Sequence, residues 1–258
     1  MYLYETHLHT CQASRCGKST GAEHARFYKA LGYDGIFVTD HFFGGNCAVP
    51  PDLPWEERIR LFSSGYEDAK AEGDRIGLKV FFAWEESKQG DDYLIYGLSP
   101  QWLMAHPEIE GCSRRRQLEM VHAEGGCVVQ AHPFRQRDYI FHVLLGKLYA
   151  DAVEVANAGN RAVEDVCAFH YAKANDLMMT CGSDNHLADH PEKVWGIGTE
   201  QPLNCPDDYV RLILSRVPLH MLCPVERFSP EPDMENPDSY WLDEREEQVL
   251  SGVDWLHG

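Results

Sequence analysis

No apolar run in the 258 residues approaches the ~20 needed for a membrane-spanning helix, so no helical crossing of a bilayer is expected. The opening residues, Met1-Tyr2-Leu3-Tyr4-Glu5, lack the basic stretch and apolar segment of a secretory leader, and a cytoplasmic location is the expectation. Cationic excess is missing too: 23 Lys+Arg stand against 41 Asp+Glu, a formal charge of −18. Such a surface repels phosphate backbones and anionic lipid, so neither extended nucleic-acid binding nor membrane association is expected. The nine cysteines are odd in number and show no CxxC spacing, which fits reduced thiols better than a disulfide framework. Cys127, Cys167 and Cys181 lie inside apolar runs and read as core residues. No GxSxG serine motif, internal repeat or low-complexity tract is found.

What is present is a globular composition, 44% hydrophobic and 11% aromatic, at a length suited to two small domains or one α/β barrel. Seven short β-rich runs alternate with segments of helical period, the pattern of repeated βα units and a largely parallel sheet. They are 2–4, 35–38, 79–83, 93–96, 127–130, 152–155 and 177–180, with later strand-like runs at 194–198 and 219–222. Helices are expected after the capping box Thr20-Gly21-Ala22-Glu23, over Trp55 to about Ile76, and over 113–124, 160–175 and 207–216. From about residue 224 prolines and acids dominate, and 224–258 reads as an acidic peripheral tail rather than a second domain.

Histidine, with 13 copies, is the residue type that stands out, and five of the copies are placed rather than scattered. Strand one runs into His7 and His9, strand two into Asp40-His41, strand three into Glu85-Glu86, strand five into His132 and strand seven into Asp184-Asn185-His186. In a parallel barrel these strand ends share one face, where active sites are built. The HxH spacing projects both imidazoles from one side of a strand. Imidazole and carboxylate together suit zinc, manganese or iron, and carboxylates can bridge ions. The other eight histidines fall in helical or loop segments without this register and read as ordinary hydrogen-bonding residues.

Six segments in order, Glu5-Thr6-His7-Leu8-His9-Thr10, Val38-Thr39-Asp40-His41, Ala83-Trp84-Glu85, Ala131-His132-Pro133-Phe134, Glu154-Val155-Ala156-Asn157 and Gly182-Ser183-Asp184-Asn185-His186, resemble the motifs of the polymerase and histidinol phosphatase (PHP) superfamily over about residues 1–223. The resemblance implies a distorted (β/α)7 TIM-like barrel, a di- or trinuclear metal centre and phosphoester hydrolysis by a metal-activated water. It implies that His7, His9, Glu85 and Asp184 hold one ion, that Glu85 bridges to a second at His132, and that His41 and His186 hold a third. Glu5 and Asp40 would orient imidazoles; if such a centre forms, the leaving oxygen is expected to be stabilised by a metal or protonated by a nearby group such as His186 or a water. Two departures stand out. The loop after the HxH pair offers Arg15 and Cys16 where the superfamily usually has Asp or His, making Cys16 a candidate soft ligand, and strand four offers Asp92 in place of a histidine.

Arg135, after His132-Pro133-Phe134, is the first candidate for phosphate, with Arg137, Arg15 and Lys18 as others. The expected activity is hydrolysis of a small phosphomonoester, histidinol-phosphatase-like, using two to three divalent ions. A nucleotide phosphoesterase or exonuclease, and a non-catalytic metal-binding regulatory module, are the alternatives. An amidohydrolase-type site would need a middle-strand lysine, and the nearest, Lys88, is expected past the end of strand three.

Overall fold

The computed structural model describes residues 1–140, 142–229 and 239–250. Its elements in chain order are β1 (Tyr2–Glu5), α1 (Gly21–Ala30), β2 (Gly35–Val38), α2 (Trp55–Phe62), α3 (Ser64–Ile76), β3 (Lys79–Lys88), β4 (Asp91–Tyr96), α4 (Pro100–Ala105), α5 (Arg114–Ala123), β5 (Cys127–Ala131), β6 (Val143–Leu145), β7 (Ala152–Asn157), α6 (Ala162–Ala174), β8 (Met178–Gly182), β9 (Ile197–Thr199), α7 (Pro206–Leu214), β10 (His220–Met221), β11 (Ser239–Leu242) and β12 (Gln248–Leu250). The main sheet runs β10-β9-β1-β2-β3-β4-β5-β7-β8 and curls until β8 approaches β9, a distorted, nearly closed TIM-like barrel. Inside it, Phe37, Phe81, Tyr96 and Tyr209 form an aromatic core, with Tyr209 contributed by α7. No helix among the described residues is long and apolar enough to cross a membrane.

The sheet is less parallel than its alternating pattern predicts. β4 runs antiparallel to both β3 and β5, and β9 antiparallel to β1. The reason lies at Gln89-Gly90, both with positive φ (56° and 105°), which close a two-residue hairpin between the paired Lys88 and Asp91. Turns of this kind match the twist of an antiparallel pair, so the chain reverses here and β4 returns alongside β3. β3 is also longer than expected, ending at Lys88 itself, which corrects the placing of that lysine beyond the strand.

The single helix expected from Trp55 to Ile76 is two. It breaks at Ser63, whose Oγ donates to the Ile59 carbonyl (2.8 Å) and so competes with helix continuation. The break lets Gly65 press against the site: a Cβ there would lie 2.0 Å from Thr10 Oγ1 and 3.0 Å from Asp40 Oδ2. The capping box at Thr20 forms as expected, with both reciprocal bonds present. Cys127, Cys167 and Cys181 are buried in the core, as expected.

Beyond residue 224, Arg227 pairs with the buried Asp165 (2.7 Å). β11 then adds to β6 in parallel, with Leu242 buried. Glu246 accepts from the first backbone N–H groups of α5, Arg114 and Arg115 (2.8 and 2.9 Å), where an anion complements the helix dipole. The proline-rich acidic stretch 230–238 and the last residues, 251–258, lie outside the described residues.

Candidate metal centre

Each βα turn at one end of the barrel delivers a side chain to a common point. His7 and His9, just past β1, are fully buried, and their Nε2 atoms lie 3.1 Å apart. Glu85 enters from β3, with Oε1 3.3 Å from His7 Nε2 and 3.2 Å from His132 Nε2. Its other oxygen is 2.6 Å from His41 Nδ1 and 3.6 Å from His9 Nε2. Asp184 Oδ1 stands 3.1 Å from His9 Nε2, 3.6 Å from His7 Nε2 and 3.6 Å from His186 Nδ1. The structure thus brings together all seven residues implied as metal ligands. They fall into the overlapping sets His7/Glu85/His132, His7/His9/Asp184 and His9/His41/His186, each compact enough to hold one ion.

The hydrogen bonding of the cluster fits cations at its centre. Although 2.6 Å apart, His41 Nδ1 and Glu85 Oε2 are both buried atoms that make no well-aligned hydrogen bond, to each other or to any other group. Buried polar atoms in proteins are usually satisfied, and although seven other buried side-chain atoms among the described residues also lack a partner, these two converge at 2.6 Å without bonding, a geometry that a third body explains. A divalent cation is that body for imidazole and carboxylate donors. Two of the seven also hold unusual backbones, His132 at φ 27° and Asp184 at φ 55°, and such non-glycine conformations concentrate at functional sites.

Charge coupling follows the same geometry. Burial alone would raise the carboxyl pKa of Glu85 and Asp184, yet His41 and His7 beside the first, and Arg135 and His7 beside the second, hold both well below the usual range. Burial and the neighbouring His41 push His9 well below an ordinary histidine, while His7, facing Glu154, Asp184 and Glu85, is raised despite its burial.

Asp92 sits at the start of β4. Because that strand is antiparallel, its first residues reach the same end of the barrel as the last residues of the others, in register with Ala131. Its carboxylate is 4.0 Å from His132 Nε2 and accepts from Ser87 Oγ. Cys16 lies against His41 and His186. Burial would raise its thiol pKa, but hydrogen bonding to these imidazoles brings it down to about 6. Arg15, its neighbour, points the other way: it is exposed and does not line the cavity above the histidines, nor does Lys18. Gly17 fits within 2.3 Å of Thr10 O at the position of an added Cβ, a tight turn that directs Cys16 inward and Arg15 out.

The supporting carboxylates differ in what they touch. Asp40 accepts from Ser14 Oγ (2.7 Å), and that hydroxyl faces His9 Nδ1 (3.3 Å), so Asp40 reaches an imidazole through one intermediary. Glu5 contacts no imidazole. It accepts from the His7 and Ser183 backbone N–H groups and from Tyr28 OH, tying β1 to the turn after β8. The imidazole of His7 is instead oriented by Glu154, 3.0 Å from its Nδ1, which also accepts from the His132 backbone (3.2 Å) and Asn157 Nδ2 (2.8 Å). Among the quoted segments Glu154 was visible, but only the fold reveals that it serves two strands at once.

Arg135 donates to Asp184 Oδ2 (2.5 Å), Asn157 Oδ1 (2.8 Å) and Asn160 Oδ1 (2.8 Å). Arg137 is committed to Glu164 and Gly159 O. Of the other histidines, His24 bonds His9 O through one ring nitrogen, His122 pairs with Asp151, His106 with Glu108 and His220 with Glu200.

The barrel is similar in fold to solved structures described as PHP-like or metal-dependent phosphoesterases. A structure from Bifidobacterium adolescentis, provisionally assigned as a metal-dependent phosphoesterase, aligns over 83% of this chain and 96% of its own at 18% identity and TM-score 0.51. A two-domain protein from Bacteroides vulgatus containing a PHP-like phosphoesterase aligns over 84% of this chain and 63% of its own, at 13% identity and TM-score 0.58. A Chromobacterium violaceum structure described as an amidohydrolase, with bound sulfate, covers 86% of this chain and 99% of its own at 16% identity and TM-score 0.50. No protein-family profile matches the chain, and no curated protein matches it in sequence.

Proposed function

We propose that this chain is a metal-dependent phosphoester hydrolase acting on a small phosphomonoester at a centre of two to three divalent ions, zinc, manganese or iron. The observation that supports this most is the convergence of five imidazoles and two carboxylates whose ligand atoms approach within 2.6–3.6 Å, with His41 Nδ1 and Glu85 Oε2 unbonded. Divalent ions held there supply Lewis acidity and lower the pKa of water from 15.7 to about 7.

The chain's own part is positioning. Glu85, facing His7, His41 and His132, would be the carboxylate shared between ions, and Glu154 and Ser14 fix the ring orientations of His7 and His9. Arg135 spends three of its five N–H groups on Asp184, Asn157 and Asn160, leaving two for phosphoryl oxygens. His186, only half-buried at the cavity edge, is the proton donor for the leaving oxygen. An amidohydrolase-like reaction is less favoured because Lys88 turns its Nζ to the Cys112 carbonyl (2.7 Å), three residues and therefore one face away from Glu85.

Elemental analysis of the wild type beside His7→Ala and Asp184→Ala tests the centre: two or three ions are expected, and fewer than one per chain overturns it. Phosphate release from histidinol phosphate, nucleoside monophosphates and 5′-phosphorylated oligonucleotides separates phosphatase from exonuclease. A fully loaded protein that releases phosphate from none of them refutes both.

A further inference from the structure

The cavity above the histidines holds about 530 Å³, far more than a phosphoryl group requires and within the range of sites that enclose a small organic molecule. Most of its described lining residues are of polar type or glycine, although carbon atoms make up much of the surface they present. Three lining residues, Gly44, Gly45 and Gly90, offer bare main chain, and the large apolar side chains are confined to one place, Tyr139 and Ile140. Tyr139 is 73% exposed, although it lines a cavity.

The loop that carries it is anchored. Upstream, Arg135 is bound to Asp184, Asn157 and Asn160, the Gln136 N–H donates to Glu164 (2.9 Å), and Arg137 spans Glu164 and Gly159 O. Downstream, the chain enters β6, which pairs with β11. The Ile140 N–H closes the turn onto Arg137 O (2.9 Å). Tyr139 is therefore an exposed aromatic ring held at the edge of the cavity over the histidines, with at least six hydrogen bonds fixing its flanks.

We propose that Tyr139, backed by Ile140, is the leaving-group determinant of this site and selects phosphomonoesters whose alcohol carries a planar aromatic or heteroaromatic ring. The ring stacks on the Tyr139 face while the phosphoryl group sits at Arg135 and the histidines. This rests on the phosphoester reading above and adds the class of alcohol to it. Stacking operates through the face of the ring and requires no hydroxyl, so phenylalanine at this position preserves it and alanine removes it.

Benzyl phosphate and ethyl phosphate make the test, because their alcohols are of similar acidity and differ chiefly in the ring. The wild type is expected to show a KM for benzyl phosphate roughly fivefold to tenfold below that for ethyl phosphate, as one aromatic contact predicts. Tyr139→Ala brings the ratio close to one through KM, and Tyr139→Phe restores it. Calorimetric binding of benzylphosphonate and ethylphosphonate gives the same comparison without turnover. If neither ester is hydrolysed but the phosphonates differ as stated, the phosphoesterase reading fails and the aromatic subsite stands. Equal binding of both phosphonates by the wild type, or an equal loss for both in Tyr139→Ala, overturns the inference.

Discussion

Two buried charged clusters in this protein look alike in composition and behave oppositely. Around Arg114, the guanidinium meets both oxygens of Asp91 (2.5 and 3.0 Å) and the Lys88 carbonyl (2.7 Å), and the Asp91 carboxylate also accepts from Tyr93 OH. That cluster carries both signs and closes on itself. Around Glu85, imidazoles and carboxylates point their lone pairs at one another, and two of the atoms have no partner. The first is a finished structural ion pair, whereas the second is a set of donors shaped for positive charge that the chain does not itself supply. Burial and charge alone do not separate them; satisfaction of the hydrogen bonds does.

Removing Glu85 attacks the unfinished cluster at its most connected point. Glu85→Gln is expected to lower kcat on a phosphomonoester by about 10³-fold or more, several kcal/mol of electrostatic stabilisation, with metal content reduced. His41→Ala, which faces only one of the Glu85 oxygens, should cost less, and equal residual rates would sink the bridging assignment. In the finished cluster, Arg114→Ala should instead cost about 3–5 kcal/mol of unfolding free energy by stranding Asp91, with metal content unchanged. Urea unfolding paired with elemental analysis reads both quantities.

Smaller effects sharpen the contrast. Glu154→Gln and Ser14→Ala, which touch the rings of His7 and His9 without being ligands, should each weaken metal binding by about 10–100-fold in competition with a chelator. A change below twofold in either would show that these rings are oriented by packing. The smallest effect concerns Glu86, on the other face of β3 from Glu85. Burial raises its pKa to about 7, partly countered by Lys88. A raised carboxyl binds its proton more tightly when folded, so this contribution favours the fold below the unfolded pKa near 4.5 and is lost as pH rises through 7. Thermal denaturation from pH 5 to 8 should therefore show a steeper loss in the wild type than in Glu86→Gln. Parallel curves would contradict it.

Much of this could be read from the chain alone, for a physical reason. His7-x-His9, Asp40-His41, Glu85, His132 and Asp184-x-His186 each follow a run of β-forming residues, and local patterning is enough to place a residue at a strand end. The direction of a strand is less local. It depended on Gln89 accepting a positive φ beside Gly90, and glutamine does not advertise that. The same reversal explains why Asp92 reaches the site from the start of its strand. Contacts across the fold were not legible either. Arg15 and Cys16 are adjacent, and only the fit of Gly17 against Thr10 decides which of them faces the histidines. The family resemblance made Glu5 a partner for imidazole, yet its oxygens are taken by backbone N–H groups and Tyr28.

The Gln89-Gly90 hairpin has a consequence for how such a protein can diversify. Parallel neighbours must be joined by a dozen residues or more, usually with a helix that is itself part of the outer wall. Here one junction is two residues long. Gly90 lines the cavity over the histidines, and a side chain added there would meet open space, although its φ of 105° favours glycine. Insertions at this turn could enlarge or roof the entrance without displacing any helix or the strand residues that carry Glu85 and Asp92. In a lineage of related barrels it is the point at which a new appetite is cheapest to acquire, and in the laboratory it is the place to randomise first.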